Sequence, residues 1–150
     1  MSFKKKFKID KLNKKLRLED SAHIILNERV TKIMRQIDKY FKNESTENLH
    51  ELRIAFRKFR YVLEIFYDCL SPKSFKHVYN QAKDMQDLIG TARDLDVLEI
   101  KIKATAEEIN QNVPEYFYEK ISVEKNAARQ NIKLELIKFI SDKEINKLLV

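Results

Sequence analysis

His50, Arg53, Arg57 and Arg60 follow one another at intervals of three and four residues. On an α-helix that spacing stacks side chains along one face. Arginine's planar guanidinium can donate to two oxygens of one phosphate at once, and a histidine ring adds a further donor. Like charges three and four residues apart cost an isolated helix about 0.2–0.5 kcal/mol per pair, and no acid lies between positions 52 and 63 to relieve them. A solvated helix face normally alternates its signs. An unbroken ladder of cations instead suits an anion that carries several negative charges in a row. Lys32, Arg35 and Lys39 repeat the same spacing upstream and would widen the positive field.

The apolar pattern locates the elements that must position the ladder. Leu49, Leu52, Phe56, Phe59, Leu63, Phe66 and Leu70 form a seam rotated by about 100° from the cations, so one helix carries a buried stripe and a charged stripe side by side. Ser45 or Thr46 is its expected cap, and Ser71-Pro72 its end. An earlier helix, capped by Asp20 or Ser21, turns Ala22, Leu26, Val30, Ile33, Ile37 and Phe41 inward. A third buries Phe75, Val78, Ala82, Met85 and Ile89 and is expected to end at Gly90, in a left-handed cap. Thr91-Ala92-Arg93-Asp94 then restarts a helix with Leu95, Leu98, Ile102 and Ile109, stopped by Asn112-Val113-Pro114. Phe117, Ile121, Ala128, Ile132, Leu136 and Phe139 mark a fifth, and Ser141 to Glu144 reads as a capping box for a short last one. Short connections make neighbours antiparallel. The expected fold is all-α, an up-and-down bundle of four to five long antiparallel helices over residues 18–150, preceded by a basic arm over residues 1–17.

Composition sets the outer limits. A chain of 150 residues is one domain. One Gly and two Pro are too few for the turns of a β or α/β protein. Thirty Lys and Arg against 23 Asp and Glu leave +7, which favours a polyanionic partner. Cys69, the single cysteine, reads as a small apolar residue in a reducing compartment. No leader-like or membrane-spanning apolar run occurs, so a cytoplasmic location is expected.

Catalytic chemistry finds little support. No Ser, Cys and His grouping has the logic of a nucleophilic triad, and a single glycine cannot build a phosphate-cradling loop. No enzyme activity and no cofactor are expected. Glu47-x-x-His50 and Asp20-x-x-His23 share the spacing of di-iron bundle ligands, but His50 stands among arginines that would repel a cation, so no metal is expected. Asp94-Leu95-Asp96 reads as a helix-start cap that shapes a turn and anchors a basic helix.

Two motifs together resemble a known pattern. His50-x-x-Arg53-x-x-x-Arg57-Lys58-x-Arg60-Tyr61, followed by Leu88-Ile89-Gly90-Thr91-Ala92-Arg93-Asp94-Leu95-Asp96-Val97, is similar to the CHAD family of α-helical domains named for their histidine. The resemblance implies a helical bundle that binds inorganic polyphosphate without catalysis, with ligands at His50, Arg53, Arg57, Lys58 and Arg60. It adds Lys83 and Arg129 as further basic positions, and places Gly90, Arg93, Asp94 and Asp96 in the second motif, with a structural role. Association with polyphosphate granules would follow.

Typical members of that family are about twice as long and carry two such ladders around a shared groove. With one copy of each motif, this chain works either as a half-sized module or as a homodimer. Nucleic acid, RNA in particular, is the alternative partner, and a protein-interaction bundle meeting an acidic surface is a third. Bases on single strands stack on aromatic side chains, whereas Phe56, Phe59 and Phe66 fall in core-facing positions.

Overall fold

A computed structural model of the chain describes residue 9 and residues 11–150. Lys4, Lys5, Lys6 and Lys8 of the basic arm lie outside the described residues. Among the described residues four long helices and one short one make up an all-α bundle: α1 (Leu18–Lys42), α2 (Thr46–Ile65), α3 (Pro72–Glu108), α4 (Glu115–Ser141) and α5 (Lys143–Lys147). Consecutive long helices pack against each other as antiparallel neighbours, and their apolar stripes meet in a single core. Phe56 of α2 and Phe139 of α4 meet edge to face there at 5.0 Å.

α1 begins earlier than its expected cap. Its first residue is Leu18, and Asp20 sits inside the first turn, accepting from Arg17 at 3.1 Å. Acids there are favoured by the free N–H groups of the helix start. Ala22, Leu26, Val30, Ile33 and Ile37 are buried as the spacing predicts, but the next inward residue is Tyr40, while Phe41 is exposed. Another step of four after the one from Ile33 to Ile37 would drift about 40° further off the core face, and a step of three returns to it.

α2 is capped by Ser45, whose Oγ accepts from the Asn48 N–H at 3.1 Å. Leu49, Leu52, Phe56, Phe59 and Leu63 are fully buried. The helix stops at Ile65, short of the expected Leu70, and a 3-10 turn over Tyr67–Cys69 leads out of it. Phe66 and Leu70 are half-buried.

α3 corrects the largest expectation. It runs for 37 residues straight through Gly90, which has no positive φ and caps nothing. The predicted restart at Thr91 to Asp94 is therefore the middle of a helix. Val78, Ala82, Met85, Ile89, Ala92 and Asp96 form one continuous buried stripe across that point. Burying Ile89 and its neighbours outweighs the cost of about 1 kcal/mol that one glycine brings to a helix interior.

α4 follows Pro114 as expected. The cap of α5 is Asp142, one residue beyond the predicted Ser141. Its Oδ1 accepts from the Glu144 and Ile145 N–H groups at 2.9 and 3.0 Å. Ser141 ends α4 and donates to the Ile137 carbonyl, and Glu144 accepts from Ser74 instead of closing a capping box.

Candidate anion-binding site

Three contacts fix how α2 and α3 run past each other. Arg93 Nη1 lies 2.5 Å from His50 Nδ1. A Cβ added to Gly90 would stand 3.7 Å from Arg53 Nε. Tyr79 donates to Glu64 Oε1 at 2.9 Å. Every step along α2 is matched by an equal step back along α3, so the same register sets Gln86 level with Arg57 and Lys83 level with Arg60. The ladder is thus one wall of a seam whose other wall is Arg93, Gly90, Gln86 and Lys83. His50, Arg53, Arg57 and Arg60 are half-buried beside the fully buried stripe, and Lys83 is exposed.

Few carboxylates reach this seam. Arg53, Arg57, Lys83 and Arg93 make no ion pair among the described residues, and Arg60 Nε reaches Glu64 only at 3.6 Å. Arg60 Nε, Arg93 Nε and Gln86 Oε1 are buried without a hydrogen-bond partner among the described residues. Buried polar atoms are nearly always paired, so this seam retains unused hydrogen-bonding capacity.

The His50 contact also sets a tautomer. A guanidinium has no acceptor, so Nδ1 must accept from Arg93, which assigns the ring proton to Nε2. Neutral His50 therefore keeps one N–H to donate. Sequence reasoning gave Arg93 a structural role. The structure puts it opposite the ladder, and the signal that could have found it is its equal helical spacing with Gln86 and Lys83 on α3.

The other expected ligands separate by location. Lys58 is exposed on the opposite flank of α2, where it lines a shallow cavity of about 180 Å³ with Arg29, Lys32 and Gln36 of α1 and Glu51 of α2. Glu28 already pairs with Lys32 at 3.0 Å. Arg29 was not singled out from the sequence, although it lies one helical turn before Lys32. Arg35 lines a different depression, with His23 and Thr31, and Lys39 is exposed.

Arg129 is engaged within the protein. It donates to the Glu44 carbonyl at 2.7 Å and approaches Asp96 at 3.8 Å. Asp96 is only 6% exposed. It caps no helix, contrary to expectation, but it does anchor a basic helix: Lys125 of α4 lies 3.0 Å away, and Thr46 at the start of α2 donates to it at 3.5 Å. Asp94 of the same motif makes no ion pair among the described residues. Lys125 also donates to Glu99 at 2.6 Å and Lys103 does so at 3.1 Å, holding that carboxyl below the usual glutamate range despite an opposing contribution from burial. The hydrogen bond to Glu99 in turn raises Lys125 against the desolvation that opposes it, with Asp96 adding to the rise.

No group of three or more His, Cys, Asp or Glu side chains gathers into a metal-binding cluster among the described residues. No helix among them is long and apolar enough to cross a membrane.

Comparison with known proteins matches residues 4–102 to a family model described as the CHAD domain. The matched span holds the whole ladder of α2 and the facing residues of α3, and ends within α3 before α4 begins. No curated protein and no solved structure matches the chain.

Proposed function

The chain belongs to the CHAD family, a family of polyphosphate-binding modules, and on that premise we propose that it binds inorganic polyphosphate along the seam between α2 and α3. His50, Arg53, Arg57 and Arg60 grip the phosphates from one wall, with Arg93 and Lys83 facing them from the other. The observation that carries this reading is that Arg53, Arg57 and Arg93 are half-buried there without a carboxylate partner among the described residues, whereas the other half-buried cations, Arg29, Arg60, Lys125, Arg129 and Lys133, each meet one. Guanidinium groups at successive helical steps of about 5–6 Å can take successive phosphates in charge-assisted pairs.

Lys58 and Lys32 on the other flank of α2, with Arg35 and Lys39 on α1, extend the positive field and add attraction more than fixed contacts. Arg129 adds charge near the start of α2 while held by Glu44 and Asp96. The role is binding, without catalysis. A second copy of the chain would bring a second ladder to the same polyanion and turn its engagement into an intramolecular step.

An unadorned phosphate chain fits better than nucleic acid, because of the three aromatics that adjoin the ladder in sequence Phe56 and Phe59 are fully buried, and Tyr61, exposed with Arg60 over its ring at 5.7 Å, leaves a single ring and no row on which successive bases could stack. The test is competition at near-physiological salt among long-chain polyphosphate, duplex DNA and RNA, with wild type and an Arg53→Ala/Arg57→Ala variant. Polyphosphate should displace both nucleic acids, and the variant should lose that preference. Equal affinity for all three would reduce the protein to a basic surface.

A further inference from the structure

α4 carries two apolar faces, and the bundle uses one of them. Ile121, Ala128, Ile132, Leu136 and Phe139 are buried in the core. Val123, Ala127, Leu134 and Ile137 form a second row, rotated about 170° from the first. Val123, Leu134 and Ile137 are 67%, 58% and 54% exposed. With Gln130 and Ser141 these positions alternate in steps of four and three, the spacing of a helix-to-helix seam. A helix at the edge of a bundle needs one apolar stripe, and one that is apolar on opposite sides has the pattern of a helix with neighbours on both.

We propose that this outer face of α4 is where two copies of the chain pair, antiparallel, about a two-fold axis that passes Gln130. In that arrangement the row is complementary to itself. Val123 meets the partner's Ile137, Ala127 meets the partner's Leu134, and Gln130 meets its own copy. Small side chains therefore stand opposite large ones along the seam. Glu124 makes no ion pair among the described residues, and it comes level with the partner's Lys138 on the same side of the contact. Lys138 is held only by an exposed pair with Glu135, which is worth little and easily exchanged.

A parallel pair fails on the same residues. It would face Lys120 with Lys120 and Ala127 with Ala127, giving a repulsion and a void, whereas the antiparallel pair sets Lys120 against Ser141. From Val123 to Ser141 the contact runs about 27 Å. A two-fold, self-complementary patch is also the commonest way identical chains associate. None of the ladder residues lies on α4, so this pairing stands or falls separately from the anion bound between α2 and α3.

Sedimentation and site-directed crosslinking test it. The wild type should sediment as two chains of 18.0 kDa, and Leu134→Glu/Ile137→Glu should sediment as one with unchanged helical circular dichroism. Glu124→Lys should weaken the dimer about tenfold, and adding Lys138→Glu to the same chain should restore it. In a Cys69→Ser background, Gln130→Cys should form an intermolecular disulfide on mild oxidation, far faster than an exposed control, Lys101→Cys. A wild type that stays monomeric would overturn the proposal. So would a dimer indifferent to Leu134→Glu/Ile137→Glu, or a Gln130→Cys variant that links no faster than the control.

Discussion

The seam between α2 and α3 and the seam between α3 and α4 are both rich in cations, yet they treat them in opposite ways. Between α3 and α4, Lys125 is answered by Glu99 and Asp96 and Arg129 by Asp96, while Lys103 meets Glu99 of its own helix and Lys133 meets Glu44 of the α1–α2 connection. Between α2 and α3, Arg53, Arg57, Lys83 and Arg93 have no carboxylate within pairing distance among the described residues. Sequence composition treats all of these residues alike. What differs is whether the facing helix supplies an acid, and that decides whether a basic residue holds the fold together or remains available to an external anion. Asp96 ties α4 and the start of α2 to α3, so the paired seam also steadies the helices that carry the unpaired one.

That contrast can be broken at either seam. The largest effect is expected between α2 and α3, where Arg53→Ala/Arg57→Ala should weaken polyphosphate binding by about 100-fold, since removing a charge-assisted hydrogen bond costs about 1.5–3 kcal/mol. Chemical denaturation should find its stability unchanged or slightly raised, because like-charge repulsion is relieved. At the paired seam Asp96→Ala should cost about 2 kcal/mol of stability, read from the urea midpoint, by leaving Lys125 and Arg129 without their shared acid. A variant that remains folded should keep most of its polyphosphate affinity.

A smaller effect is expected at Gly90, which lies in helical backbone with only an ordinary contact toward Arg53. Gly90→Ala should raise stability by about 0.5–1 kcal/mol. A loss of stability would instead be the behaviour of a left-handed cap.

The smallest is pH dependence. Glu99 titrates below its ordinary value of 4.5 because Lys125 and Lys103 donate to it. A carboxyl depressed in the folded state contributes stability that is complete above its unfolded pKa, and that stability is lost as pH falls through the folded one. Acid titration should therefore erode the α3/α4 seam below pH 4.5, and Glu99→Gln should flatten that part of the profile.

Much of this was legible in the sequence, because stripes of large apolar residues determine which face of a helix is buried. The burial of Leu49, Leu52, Phe56, Phe59 and Leu63 follows from spacing alone, and the half-buried edge at His50, Arg53, Arg57 and Arg60 follows from it by rotation. Gly90 misled because local propensity favours a helix end there, while the stripe through Ile89 and Ala92, visible only once α3 is packed, carries the helix onward. Asp96 misled for the same reason. An acid in an assumed first turn looks like a cap, and in mid-helix it is a buried partner for cations more than 25 positions away in sequence. Arg93 could be recognised as the facing wall only when the register of α2 against α3 was known, a tertiary fact that no local pattern encodes.

The central claim is that the two seams differ in function because one is neutralised internally and the other is not. Matched charge removal tests it most directly: titrate long-chain polyphosphate into Arg53→Gln/Arg57→Gln and into Lys103→Gln/Lys125→Gln, each of which removes two positive charges from the chain. The first should lose about 100-fold in affinity, and the second should stay within about threefold of wild type, the size expected of a change in overall field alone. Equal losses in the two variants would contradict the account, because net charge and not the α2/α3 seam would then govern binding.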